Sequence, residues 1–216
     1  MIEGGLLLAY LLLVSAVVIS PGPDTFLILR VTLASGRLAG FAAVLGVQMG
    51  IALHTLAAVL GLSVLIASSP LLFKGVAVAG AAYLAWLGIE AMRSGSLIGT
   101  EDNGQHVRPR AALRDALLCN VLNPKVIVLF LALMPNFVRL EAGGVPGQLL
   151  LLAVILVAVN SVWQSGLVLA AAWARAHLLK PMAQRLIARG SGLVFILFAM
   201  LMLYEHLIRP AISQAL

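Results

Sequence analysis

An acid and a base each follow a proline inside otherwise apolar sequence: Asp24 in Ser20-Pro21-Gly22-Pro23-Asp24, and Lys125 in Asn123-Pro124-Lys125. A carboxylate near a bilayer centre costs about 2.5 to 3.5 kcal/mol on insertion scales, so such a group is retained where function requires it. Pro21 and Pro23 remove backbone donors and clash with the preceding turn, while Gly22 tolerates conformations that other residues avoid; no continuous helix is expected there. Carbonyls freed in hydrocarbon must be satisfied by protein or trapped water, which puts the break beside a cavity. A kink that only shapes packing is the competing explanation, and Asp24 weighs against it. At the second break Asn120 lies one turn before Asn123, on the same helix face. Lys125 could instead snorkel to an interface. The runs Ala116 to Leu122, apolar apart from Asn120, and Val126 to Met134 make that harder by setting it in mid-span.

These groups suit a zwitterion. Half-helix N-termini favour anions, so Lys125 and the amides after Pro23 or Pro124 would hold an α-carboxylate while Asp24 holds an α-ammonium. Without that ligand, Asp24 would pair with Lys125 or take up a proton, because burial raises the proton affinity of a carboxylate and a nearby cation lowers it. Competition between ammonium and proton would then couple the two. Other polar residues carry weaker signals. Asn160 and Gln164 are four apart with Trp163 adjacent, and Gln48 and His54 lie among Gly46, Gly50 and apolar neighbours. Gln48 and Asn160 read equally as cavity lining or as hydrogen bonds between helices, which small residues bring close. His54 reads as a proton relay or as a packing residue. Glu90 beside Arg93 suggests an interfacial pair, and Tyr83, Trp86 and Tyr204 suggest packing or interfacial aromatics.

The elements that must carry these residues follow from composition. Of 216 residues, 62% are hydrophobic and 10% charged, with a mean hydropathy of +1.09; soluble chains average about 25% charged. A spanning helix needs roughly 20 apolar residues. Six stretches qualify, at about 4 to 34, 39 to 67, 70 to 92, 112 to 138, 148 to 173 and 190 to 208. Arg30, Arg37, Arg93, Arg108, Arg110, Arg114, Arg175, Lys180, Arg185 and Arg189 fall on one side, Lys74, Arg139 and Arg209 on the other. The positive-inside rule makes the first side cytoplasmic and both termini external. The polar stretch from Arg93 to Arg114 separates two sets of three spans, so the second set enters the membrane inverted. Aligning Pro23 with Pro124 then sets Asp24 opposite Lys125. The expected fold is an all-α integral membrane protein, one transmembrane domain over 1–216. It divides into inverted three-helix repeats at 1–100 and 108–216, with the first and fourth helices broken at their prolines.

Several classes are excluded. The net charge of +6 comes from cations scattered among apolar segments, which meet lipid headgroups and not nucleic acid. Cys119 stands alone, without a disulfide partner or a cysteine cluster for metal, and reads as a passive helix residue. No G-x-S-x-G, Walker or H-E-x-x-H motif is present, so neither an enzyme nor a nucleotide-driven pump is expected, and no cofactor. The N-terminus lacks a basic n-region and reads as a retained span.

Three stretches together resemble a known family: Ser20-Pro21-Gly22-Pro23-Asp24 running into Gly36-Arg37-Leu38-Ala39-Gly40, Tyr83-Leu84-Ala85-Trp86-Leu87-Gly88, and Asn123-Pro124-Lys125 running into Leu133-Met134-Pro135-Asn136-Phe137. The chain resembles the lysine exporter (LysE) superfamily, in its homoserine/threonine resistance (RhtB) branch. That resemblance implies proton-driven export of amino acids or close derivatives across a bacterial inner membrane. The family's motif positions fall on Pro21, Gly22, Pro23, Asp24, Asn123, Pro124 and Lys125. It identifies neither the substrate nor any homo-oligomer. Thiol-redox members of the superfamily use paired cysteines, from which a chain with Cys119 alone departs.

Overall fold

The computed structural model of the chain describes residues 4–61, 70–94, 107–139, 142–178 and 181–204, and every regular element among them is helical. Expectations for the end of the second span after Gly61, for residues 95–106, for Lys180 and Arg209, and for the side chains of Lys74, Glu90, Arg175 and Arg185 lie outside the described residues.

The first hydrophobic stretch is two helices, α1 (Gly4–Ile19) and α2 (Pro23–Ser35), bent by 53° relative to each other. Gly22 is extended at the break (φ −150°, ψ 178°) and Pro23 opens α2. At that first position a missing N–H removes no helical bond. Gly36, at φ 85°, turns the chain from α2 directly into α3 (Arg37–Val59). This left-handed region accommodates glycine without strain. α4 (Pro70–Ser94) follows, then α5 (Pro109–Val121) and the short α6 (Pro124–Val128). α6 continues into a π turn at Leu129–Leu133 and a 3₁₀ turn at Met134–Phe137. Pro135 accounts for this loosening, because its ring would collide with the carbonyl four residues earlier in a regular helix. α7 (Val145–Leu178) and α8 (Pro181–Leu203) complete the fold.

By length and composition α3 and residues Val145–Ala174 of α7 can each cross a membrane, and the bent pair α1 and α2 passes the same test when taken together, as a broken span or a re-entrant loop. α3 shows why these helices suit lipid. Leu38, Phe41, Leu45, Met49, Leu53, Leu56 and Leu60 lie exposed along it at spacings of three and four, an apolar stripe that water would penalise. Its other face carries Ala39, Gly40, Ala43, Gly46, Val47 and Gly50, all buried, against α5 and α7. A Cβ on Gly46 would strike the backbone carbonyl of Leu113 on α5, so the two backbones approach as closely as small residues allow. α4 packs on α8 in the same manner: a Cβ on Gly88 would meet the carbonyl of Gly192, and one on Gly192 that of Gly88. α2 lies inside the bundle, touching α3, α5, α7 and α8.

Candidate functional site

The site forms where the two breaks meet. Asp24 occupies the first turn of α2, where the helix dipole favours a negative charge. No side chain caps that turn; the first helical amide bond runs from Phe26 N–H to the Gly22 carbonyl, leaving the Asp24 and Thr25 amides ahead of it. Asp24 is buried. Its Oδ2 accepts a hydrogen bond from Asn120 Nδ2 at 2.8 Å, while Oδ1 is buried without a partner. Asn120 is at the end of α5 and reaches Asp24 past Gly50, where a Cβ would overlap its side chain. Behind Asn120, His54 Nε2 lies 3.5 Å from its carbonyl and the imidazole stacks on Phe130.

The second break is capped differently. Asn123 Oδ1 accepts the Lys125 amide at 3.0 Å, and the Asn123 carbonyl accepts from Val126 and Ile127. This is an ordinary N-cap. Lys125 sits in the first turn of α6, an unfavourable end for a cation. Its side chain leaves that end, and Nζ donates to the Ser20 carbonyl just past α1. The C-terminal carbonyls of a helix lack intrahelical donors and carry the negative end of the dipole, so Lys125 of one break caps the helix ending at the other. Gly22 faces the lysine stem, where an added Cβ would come within van der Waals contact of Cδ and Nζ. Asp24 and Lys125 form no ion pair, since Nζ is turned to Ser20, although the lysine charge still acts on the carboxylate.

A cavity of about 40 Å³ opens between these groups, room for roughly three water centres. It is lined by Gly22, Asp24 and Thr25 from the first break, Asn120, Asn123 and Lys125 from the second, and Leu156, Asn160 and Gln164 from α7. Val17, Val18, Ile51, Val126 and Leu129 supply apolar wall. The structure thus brings together Gly22, Asp24, Asn120, Asn123, Lys125 and Asn160, with Pro21, Pro23 and Pro124 at the breaks that expose them. Gln48 and His54 are not in the lining. Gln48 reaches the site through Gln164, donating from Nε2 to Gln164 Oε1 at 3.1 Å, and His54 through Asn120. Thr25, Leu156 and the Ser20 carbonyl are additions to the expected set. Leu156 falls one helical turn before Asn160 and was findable by spacing; a backbone acceptor leaves no signature in sequence. Cys119 is buried beside the same carboxylate.

Residues 15–206 match the family described as LysE type translocator. An uncharacterized membrane protein of Bacillus subtilis, YrhP, is 32% identical over 89% of this chain and 95% of its own length. A homoserine/homoserine lactone efflux protein of Salmonella typhimurium is 29% identical over 90% of this chain and 94% of its own. A leucine efflux protein of an Enterobacter species is 29% identical over 84% and 86%. No solved structure matches the chain. The proline motifs, and the family they resemble, run through the matched residues from one break to the other. The chain belongs to the LysE type translocator family.

Proposed function

We propose that this protein is a secondary transporter that exports amino acids or close derivatives across a bacterial inner membrane in exchange for protons, and that Asp24 and Lys125 form its binding site. The observation that carries this reading is a single cavity lined by an acid from one half of the chain and a base from the other, with Asp24 Oδ1 unpartnered. Asp24 takes the α-ammonium. Lys125, released from Ser20, takes the carboxylate together with the uncapped amides of α2; those of α6 are already occupied by Asn123. Homoserine, homoserine lactone and leucine, named for two of the relatives, share an α-amino group, the group that Asp24 suits. Exchange of ammonium for proton on Asp24 carries solute outward and protons inward.

The helix pairing supports six spans arranged as inverted repeats. If α1–α2 corresponds to α5–α6, α3 to α7 and α4 to α8, the contact of α3 with α5 has its counterpart in that of α7 with α1. The pairs α3 with α7 and α4 with α8 map onto themselves, as the reciprocal approach of Gly88 and Gly192 requires. Substrate sites of such transporters lie at the repeat interface near the midplane.

Proteoliposomes preloaded with an amino acid mixture test the reading. At least one amino acid is expected to leave faster when the outside is acidic, and Asp24→Asn is expected to abolish that dependence while the protein stays folded. If no amino acid leaves under any gradient, the transport reading is wrong; unchanged gradient dependence in Asp24→Asn removes Asp24 from the coupling.

A further inference from the structure

Between the cavity and the face where α1 and α7 begin, side chains of three elements close the bundle. α1 buries Tyr10, Val14 and Val18 along one face, and Val18 lines the cavity. α7 buries Leu152 one turn before the cavity-lining Leu156, and the 3₁₀ turn contributes Met134 and Phe137. Tyr10, Val14, Met134 and Leu152 are all 0% exposed and belong to one packed cluster. Phe137 meets the Tyr10 ring edge-on, with 5.1 Å between centroids. Yet the Tyr10 hydroxyl is buried with no hydrogen-bond partner among the described residues. Stripping it of water is a cost that this arrangement does not return, and phenylalanine would fill the space without it. Packing accounts for the ring and not for the oxygen, which a second arrangement with water at Tyr10 would explain.

The segment that carries Phe137 is suited to move. From Leu129 to Phe137 it is a π turn and then a 3₁₀ turn, which rearrange at less cost than regular helix. Its flanks are fixed. Asn123 caps α6, and the buried Gln148 amide accepts the Arg139 N–H and donates to the Arg139 and Gly143 carbonyls, at 2.9, 2.9 and 2.7 Å. Its first residues belong to the site: Leu129 lines the cavity, and Phe130 stacks on His54 behind Asn120. Resting on the exporter reading above, we propose that Leu129–Phe137 is the exit gate, latched shut by Tyr10, and that opening it brings water to the Tyr10 hydroxyl. Filling of the cavity acts on the gate at Leu129 and Phe130, and the latch releases at Phe137. The unpartnered hydroxyl keeps the closed state from becoming too stable to open.

A cysteine placed behind the latch provides the test: Val14→Cys in a Cys119→Ala background, reacted with a maleimide in purified protein. Tyr10→Phe keeps the ring and removes only the oxygen. Labelling at position 14 is then expected to slow roughly tenfold, the worth of one unpaired hydroxyl. The melting temperature of Tyr10→Phe in the native background should rise, and its export from proteoliposomes should slow. Tyr10→Ala removes the latch and should speed labelling at least tenfold. Unchanged or faster labelling in Tyr10→Phe overturns the latch and leaves the transporter reading intact. A lowered melting temperature in Tyr10→Phe also overturns it, because the hydroxyl would then hold the closed fold together. If labelling slows as expected but the wild type exports no amino acid, the transporter reading fails and the segment's role as an exit fails with it.

Discussion

At the scale of single residues, Asp24 and Lys125 are paired by their proline motifs but held in different ways, the acid buried and the base half-buried, and their substitutions should separate. Asparagine at position 24 keeps an acceptor for Asn120 Nδ2 and sits at a helix start that tolerates it. Asp24→Asn should therefore fold with near wild-type thermal stability in detergent and fail in proton-coupled export. Lys125→Met removes the donor to the exposed Ser20 carbonyl, and the net loss of a hydrogen bond costs about 0.5 to 1.5 kcal/mol. This variant should lose both export and stability. Equal melting temperatures for the two variants would show that the contact between Lys125 and Ser20 contributes nothing to the fold. The pair of charges was legible in sequence because proline and charge are conspicuous in an apolar run. Their partners were not: Asn120 is 96 positions from Asp24 and Ser20 is 105 from Lys125, and only packing decides which atoms meet.

At the scale of elements, glycines set the distance between α3 and α5, and two of them should respond differently to a methyl group. A Cβ on Gly46 meets the backbone of Leu113, which cannot rotate away, so Gly46→Ala must push the helices apart. Overpacking of this kind costs typically 1 to 3 kcal/mol, readable as a lowered melting temperature in detergent. A Cβ on Gly50 meets Asn120 at Oδ1, Cγ and Cβ; the amide can turn away at the expense of its bond to Asp24, which leaves the milder contact with Cβ. Gly50→Ala should accordingly cost less stability than Gly46→Ala and more transport. The reverse order would mean that Asn120 does not position Asp24. Breaks at Pro23 and Pro124 were readable from the sequence, since proline acts through its own ring. The π turn at Leu129–Leu133 was not, because the strain from Pro135 can be relieved by a kink, a bulge or a tighter turn, and the surrounding helices choose among them. The role of Gly46 and Gly50 as close-packing residues was legible; which helix they admit was not.

At the scale of the whole molecule, inverted halves require the ends of the broken fourth span to lie on opposite faces of the membrane. Arg37 and Arg110 are exposed residues near the starts of α3 and α5, on the side rich in Lys and Arg. Ala142 is exposed in the connection from the 3₁₀ turn to α7. Cys119, the only native cysteine, is fully buried, so the wild type should react poorly with a membrane-impermeant maleimide and provide a clean background after Cys119→Ala. In intact cells Ala142→Cys should label from outside, while Arg37→Cys and Arg110→Cys should label only after the membrane is opened. Labelling of Ala142→Cys and Arg110→Cys from the same face would mean that the chain from Pro109 to Phe137 does not cross the bilayer. The halves would then not be inverted, and no symmetry would bring Asp24 and Lys125 to a common midplane. Opposite labelling is the outcome required for the proline breaks of two inverted halves to bring Asp24 and Lys125 to a common depth, where the cavity they both line can engage a solute between them.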